Sequence, residues 1–237
     1  MDAIDTAGAA SLGCEVADLS VPGVHLVPGG PELATYRGIY AARFGPAVLV
    51  YCPPELAGRV RMAVAEADPD AVFRPAGLRR LAGLDDAVVL GPSRHGFVDA
   101  AHFRAVAGAA ASRLAPDDPA LAELRRACGE DDWTESGFAG VDDDPLYGIK
   151  EERRLVVAGN MTPYRARAAD VGVLTHPEHR GRGLARLLAS EMVAEALPIV
   201  GLVRYRALVA NVASLSVAAG LGFVPRGENL ALRLDQG

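Results

Sequence analysis

Asp170-Val171-Gly172-Val173-Leu174-Thr175-His176-Pro177-Glu178-His179-Arg180-Gly181-Arg182-Gly183-Leu184-Ala185, continuing to Ala196, is the stretch on which the reading turns. Residues 170–175 favour a β-strand. Residues 176–183 are rich in Gly and Arg and read as a turn. From Leu184 the apolar positions fall at Leu184, Leu187, Leu188 and Met192, which is helical spacing. The order is therefore strand, glycine loop, helix. The first turn of a helix has N–H groups with no intrahelical acceptor and carries the positive end of the helix dipole. Gly181 and Gly183 have no Cβ, so a phosphate can approach their main chain. Arg180 and Arg182 add fixed positive charge. The local chemistry is that of a pyrophosphate cradle.

The loop lacks the Gly-Lys-Ser/Thr ending of a nucleotide P-loop and the three glycines of a dinucleotide fingerprint. Arg180-Gly181-Arg182-Gly183-Leu184-Ala185 resembles instead the acetyl-CoA signature Arg/Gln-x-x-Gly-x-Gly/Ala of the GNAT superfamily of N-acetyltransferases. A second resemblance follows at the expected distance. Arg206-Ala207-Leu208-Val209-Ala210-Asn211 looks like that family's next strand ending in Asn, and Leu221-Gly222-Phe223 matches its closing Gly-Phe. The resemblance covers the C-terminal half of the chain and somewhat more. It implies a mixed, mostly antiparallel central sheet flanked by helices, an α+β or α/β architecture, with a smaller N-terminal α/β unit in front. The expected division is a flexible start over 1–20, the small unit over 21–103 and the acetyltransferase-like domain over 104–237.

The resemblance also assigns candidate site residues. Main-chain groups of Val173, Leu174 and Thr175 would hold the pantetheine arm and polarise the acetyl carbonyl. Arg180, Gly181, Arg182, Gly183, Leu184 and Ala185 would hold the pyrophosphate, with Asn211 and Ser214 toward the pantetheine. Asn211 also suits a helix N-cap. Asp170, near the start of its strand, is the candidate base, although a slip of one residue would send its side chain to the other sheet face. The sequence departs from the family at the usual Tyr acid, whose position here is Ala218. Tyr164 and Tyr205 are the substitutes nearest in sequence. Asp131, Asp132, Trp133 and Glu135 are candidates for lining an acceptor site.

The 237 residues allow one large or two small domains, and 50% apolar composition supplies a sizeable core. A net charge of −6 argues against a general nucleic-acid binder and suits a cationic acceptor. Cys14, Cys52 and Cys128 lie far apart without CxxC spacing, so neither a disulfide framework nor a zinc site is expected. The acidic N-terminus has no signal-peptide pattern, and no run approaches the about 18 apolar residues of a membrane helix. A cytoplasmic, metal-free enzyme is expected, with acetyl-CoA as co-substrate, a small-molecule or peptide amine as acceptor, no nucleic acid or membrane partner, and a possible homodimer. No cysteine lies near the motifs in sequence, which favours direct attack by the amine over an acyl-enzyme. The alternative is a non-catalytic acyl-CoA-binding module or sensor. Along the chain, helices are expected over 31–42, 55–66, 75–81 and 119–128, strands over 47–51 and 87–90, and a hairpin turning at Glu151-Glu152-Arg153.

Overall fold

The computed structural model describes residues 3–31, 33–108, 111–139, 144–164 and 168–234. In chain order the elements are α1 (Ala3–Leu12), β1 (Gly23–Leu26), β2 (Gly38–Phe44), β3 (Ala47–Tyr51), α2 (Pro54–Val64), α3 (Pro69–Val72), α4 (Pro75–Ala82), β4 (Val89–Val98), β5 (Ser112–Leu114), α5 (Pro119–Cys128), α6 (Glu130–Glu135), β6 (Leu146–Glu151), β7 (Arg154–Tyr164), β8 (Ala168–Thr175), α7 (Leu184–Val200), β9 (Leu202–Leu208), α8 (Val212–Gly220) and β10 (Val224–Arg233). The architecture is mixed, with antiparallel pairing dominant and helices flanking the strands. Two compact units emerge, one of residues 1–95 with 226–237, the other of residues 96–225.

In the first unit the strand order is β1-β3-β2-β10-β4. One face packs Ile39, Ala41, Val48 and Val50 against Val60, Leu78 and Leu81 of α2 and α4. The other packs Ala42, Leu49 and Tyr51 against Ala9 and Leu12 of α1. Both faces are covered, so β3 is apolar throughout. Three sequence expectations change here. The helix expected over 31–42 is replaced by turns and β2, because Ile39 to Arg43 sit between two partner strands and that pairing overrides local propensity. The strand expected to stop at Gly91-Pro92 continues to Val98, with Gly91 at φ +101°. Residues 3–12 are helical where a flexible start is expected. Residues 228–233 pair with 38–43, so the end of the chain groups with its beginning.

The second unit is ordered β9-β8-β7-β6-β5. The β6–β7 hairpin turns where expected, with Glu152 and Arg153 both at positive φ (47° and 74°), the backbone that suits a tight turn between twisted strands. One sheet face carries Val157, Met161, Ala169, Val171 and Tyr205 onto Leu188, Met192 and Val193 of α7. The other carries Leu146, Ala158 and Leu174 onto Leu121 and Leu124 of α5. α5 is capped by Asp118, which accepts from Ala120 N–H at 3.0 Å, and has Arg125 and Arg126 in its last turn, complementing its dipole. α7 starts after Gly183 and stops at Gly201, both left-handed.

Candidate functional site

β8 pairs with β7 along its whole length, from Ala168–Tyr164 to Thr175–Val157. Its parallel pairing with β9 runs only from Ala168–Leu202 to Val171–Tyr205. Beyond Val171 the two strands part, and the β9-facing edge of residues 172–175 has no partner strand among the described residues. Such an edge offers unpaired N–H and C=O groups to an extended ligand. Val173, Leu174 and Thr175 lie in this splayed segment. The Thr175 carbonyl is already engaged, accepting from Arg180 Nε at 3.2 Å and from Cys128 Sγ at 3.6 Å.

The glycine loop follows. Gly181 and Gly183 sit at φ +76° and +79°, and a Cβ built on either meets nothing within 4 Å. The first intrahelical bond of α7 is from Leu187 N–H to the Gly183 carbonyl, which leaves the N–H groups of Leu184, Ala185 and Arg186 without helical acceptors. A CoA pyrophosphate fits this cradle. The guanidinium groups are less free than expected. Arg180 donates to Asp132 Oδ2 at 2.7 Å, and Arg182 forks onto both oxygens of Glu151 at 2.8 and 3.0 Å. The anion-binding capacity therefore rests chiefly on backbone donors.

On the sheet face toward α6, Asp170 and Arg204 are register partners and form a two-pronged ion pair at 2.6 and 3.1 Å. Their side chains are only 20% and 11% exposed. Asn160, two strands from β9, is 2% exposed and donates from Nδ2 to the Ser136 carbonyl at 3.2 Å. Gly172, its partner across β7–β8, has no side chain, which lets that carbonyl lie directly over the strand. Thr162 donates to Asp144 Oδ2 at 2.8 Å. Glu135 accepts from Asn211 Nδ2 at 2.9 Å, while Asn211 Oδ1 accepts from Ser214 N–H at 3.0 Å, the N-cap of α8. Both amide ends of Asn211 are thus occupied.

On the opposite face, the Tyr205 hydroxyl lies 3.0 Å from Ser214 Oγ. Tyr205 is 4% exposed, and burial raises its pKa, so it stays protonated at neutral pH. Sequence order alone pointed to Tyr205 only as a neighbour. Its position comes from the parallel β8–β9 ladder, which sequence spacing does not reveal. The Tyr164 side chain lies outside the described residues. The expectation that no cysteine is near the motifs is corrected by Cys128, whose thiol reaches Thr175. Burial holds it as the neutral thiol, a weak nucleophile. Trp133 packs on Phe138 with ring centroids 4.6 Å apart, in the core rather than on the cavity wall.

His176, Glu178 and His179 bring potential ligand atoms within 4.8 Å of one another. Guanidinium nitrogens of Arg154 and Arg182 stand 2.7 Å from a ring nitrogen of His176 and His179, where they compete with any cation for those lone pairs.

These elements enclose one cavity of about 420 Å³. Of the residues singled out in the sequence, Asp132, Glu135, Asp170, Val173, Leu174, Thr175, Arg180, Gly181, Gly183, Leu184, Ala185, Tyr205, Asn211 and Ser214 line it, and Asp131, Trp133, Arg182 and Ala218 do not. Asn160, Thr162 and Arg186 also line it and carried no motif, and Arg206, the first residue of the stretch read as a strand ending in Asn211, lines it too.

Residues 147–231 match the family described as GNAT acetyltransferase. Among solved structures, a GNAT-family acetyltransferase from Colwellia psychrerythraea superposes with a TM-score of 0.51 at 16% identity, over 67% of this chain and 61% of that one. A GNAT-family structure from Novosphingobium aromaticivorans gives 0.49 at 21% identity, over 63% and 66%. A GCN5-related N-acetyltransferase from Kribbella flavida gives 0.47 at 16%, over 68% and 65%. The chain thus spans just under two thirds of the length of these structures. No curated protein matches it. No helix among the described residues is long and apolar enough to cross a membrane. The parted β8–β9 strands, the left-handed glycine loop and the uncapped start of α7 all lie inside the segment, residues 147–231, that is similar to the GNAT acetyltransferase family.

Proposed function

We propose that the protein is an acetyl-CoA-dependent N-acetyltransferase that acts by direct attack of a primary amine. The observation that carries this reading is the continuity of the open β8 edge and the α7 cradle within one cavity. Bound acetyl-CoA supplies its acetyl group as a thioester, from which an amine displaces the thiolate. In this reading the α7 N–H groups bind the pyrophosphate, and the open main-chain groups of residues 173–175, apart from the engaged Thr175 carbonyl, orient the pantetheine, with an N–H donating to the thioester carbonyl oxygen.

Tyr205 takes the place of the acid that Ala218 cannot provide. Its hydroxyl gives a proton to the departing sulfur and is reprotonated through Ser214. Asp170 takes the proton shed by the amine nitrogen, through water. Arg204 occupies two of the carboxylate's lone pairs and leaves the others open. A protonated Tyr205 facing the cofactor side favours an enzyme over a binding module that only keeps the fold.

Calorimetric titration with acetyl-CoA and with CoA, followed by thiol release with a panel of amines, tests the reading. Binding with amine-dependent thiol release is expected. Absence of binding refutes the cofactor site, and binding without release supports the non-catalytic alternative.

A further inference from the structure

The cavity faces α6 with a set of polar groups that are nearly all engaged. Asp132 is held by Arg180, Glu135 by Asn211 and Asp170 by Arg204. Asp132 and Asp170 are therefore charge-paired with arginines, while Glu135 is hydrogen-bonded to a neutral amide and keeps its charge. Two groups stand out against this background. Asn160 is 98% buried and lines the cavity, and its Nδ2 donates to the Ser136 carbonyl. A carbonyl can only accept, so this bond fixes the amide orientation and leaves Oδ1 as an acceptor with no partner among the described residues. A buried unsatisfied carbonyl oxygen costs about 1–3 kcal/mol unless something donates to it. Arg206 lines the same cavity, is exposed, and has no ion-pair or hydrogen-bond partner among the described residues.

The two lie on one sheet face. Asn160 is opposite Gly172, two residues on from Asp170, and Arg206 is two residues on from Arg204, the partner of Asp170. β8 lies between them, and because β8 and β9 part beyond Val171–Tyr205 their Cα atoms are more than two strand spacings, over roughly 10 Å, apart.

We propose, resting on the acetyl-transfer reading above, that the acceptor is an amine that also carries a carboxylate, a free amino acid or a close analogue. Its amine donates to Asn160 Oδ1, and its carboxylate is held by the planar fork of Arg206. The unpaired positive charge, not the protein's net negative charge, sets the acceptor class.

Thiol release from acetyl-CoA is measured with the twenty amino acids and, for the best of them, with its amide and its decarboxylated amine. The amino acid is expected to exceed both counterparts in kcat/KM by about 10- to 100-fold, the factor for losing one charged hydrogen-bonding partner. Arg206→Met, at an exposed position, is expected to raise KM for the amino acid by a similar factor, leaving its KM for the plain amine and its acetyl-CoA affinity unchanged. Acetyl-CoA binding together with acetylation only of amines that lack a carboxylate, or of none, overturns this inference and leaves the cofactor site standing. So does an unchanged amino-acid KM in Arg206→Met. Failure of acetyl-CoA to bind overturns both readings.

Discussion

Replacing Gly183 with Glu separates the cradle from the rest of the fold. Gly183 sits at φ +79°, ψ 3°, and a Cβ there meets nothing within 4 Å. An L side chain in this conformation costs roughly 1–2 kcal/mol of backbone strain, which lowers stability without a steric clash. The larger effect is electrostatic. A carboxylate about 5 Å from one phosphate charge, at an effective dielectric near 20, opposes binding by roughly 3 kcal/mol. That corresponds to about a 100-fold loss of affinity. The position is exposed, so the loss should shrink as salt rises. Gly183→Asn supplies the control, because Asn tolerates the left-handed backbone and adds no charge. Calorimetry with acetyl-CoA at low and high salt, beside thermal melts of all three proteins, measures both terms. The expected result is a large, salt-sensitive loss in Gly183→Glu and a small one in Gly183→Asn. An acetyl-CoA affinity unchanged in Gly183→Glu, with the protein folded, would refute the placement of the pyrophosphate at α7.

Two further outcomes follow from the same geometry. Tyr205→Phe should lower kcat by about 100-fold, the lower end for a lost general acid, with acetyl-CoA affinity retained and the alkaline limb of the pH–rate profile altered; a kcat within twofold or so of wild type would remove Tyr205 from the mechanism. The pKa of His176 is lowered first by burial and then by Arg154, against an opposing pull from Glu178. The folded protein therefore binds its proton less readily than the unfolded chain. The His176 contribution to stability is complete above the unfolded value of about 6.5 and is lost as pH falls through the lower folded value. Urea midpoints should decline from pH 7.5 to 5.5, and less so in His176→Gln; an equal decline in the variant would place the acid sensitivity elsewhere.

The glycine-loop half of the candidate site was legible because it is built from local features. A strand, two glycines and a helix start lie consecutively in the chain, and their chemistry depends on backbone geometry that glycine and helical spacing announce. Asn211 was legible as a cap for the same reason. The half that faces α6 was not. Asn160 and Gly172 meet only through the β7–β8 register, Arg206 follows the last β8–β9 pair at Tyr205, and a period of two does not say which strands are neighbours. Charge composition says little about the cavity for a related reason: two of its acids have cationic partners from distant elements, Asp132 with Arg180 and Asp170 with Arg204. Residues 31–42 show local propensity losing to pairing, since the strand at 38–44 is dictated by neighbours at 47–51 and 228–233.

That last pairing bears on how the chain comes to be made. Residues 228–233 of β10 lie against 38–43 of β2, nearly two hundred positions earlier. A ribosome releases the chain from its N-terminus, so β2 emerges long before the strand that flanks it. Until residues 228–233 appear, that side of β2 is an open edge, exposed to wrong pairing during synthesis. Separation in sequence also makes this a late step in refolding. A truncation that starts near Arg104 therefore does more than remove an N-terminal unit. It strips residues 228–233 of their β2 partner, so the N-terminal unit is better probed by point substitutions in β2 than by deletion.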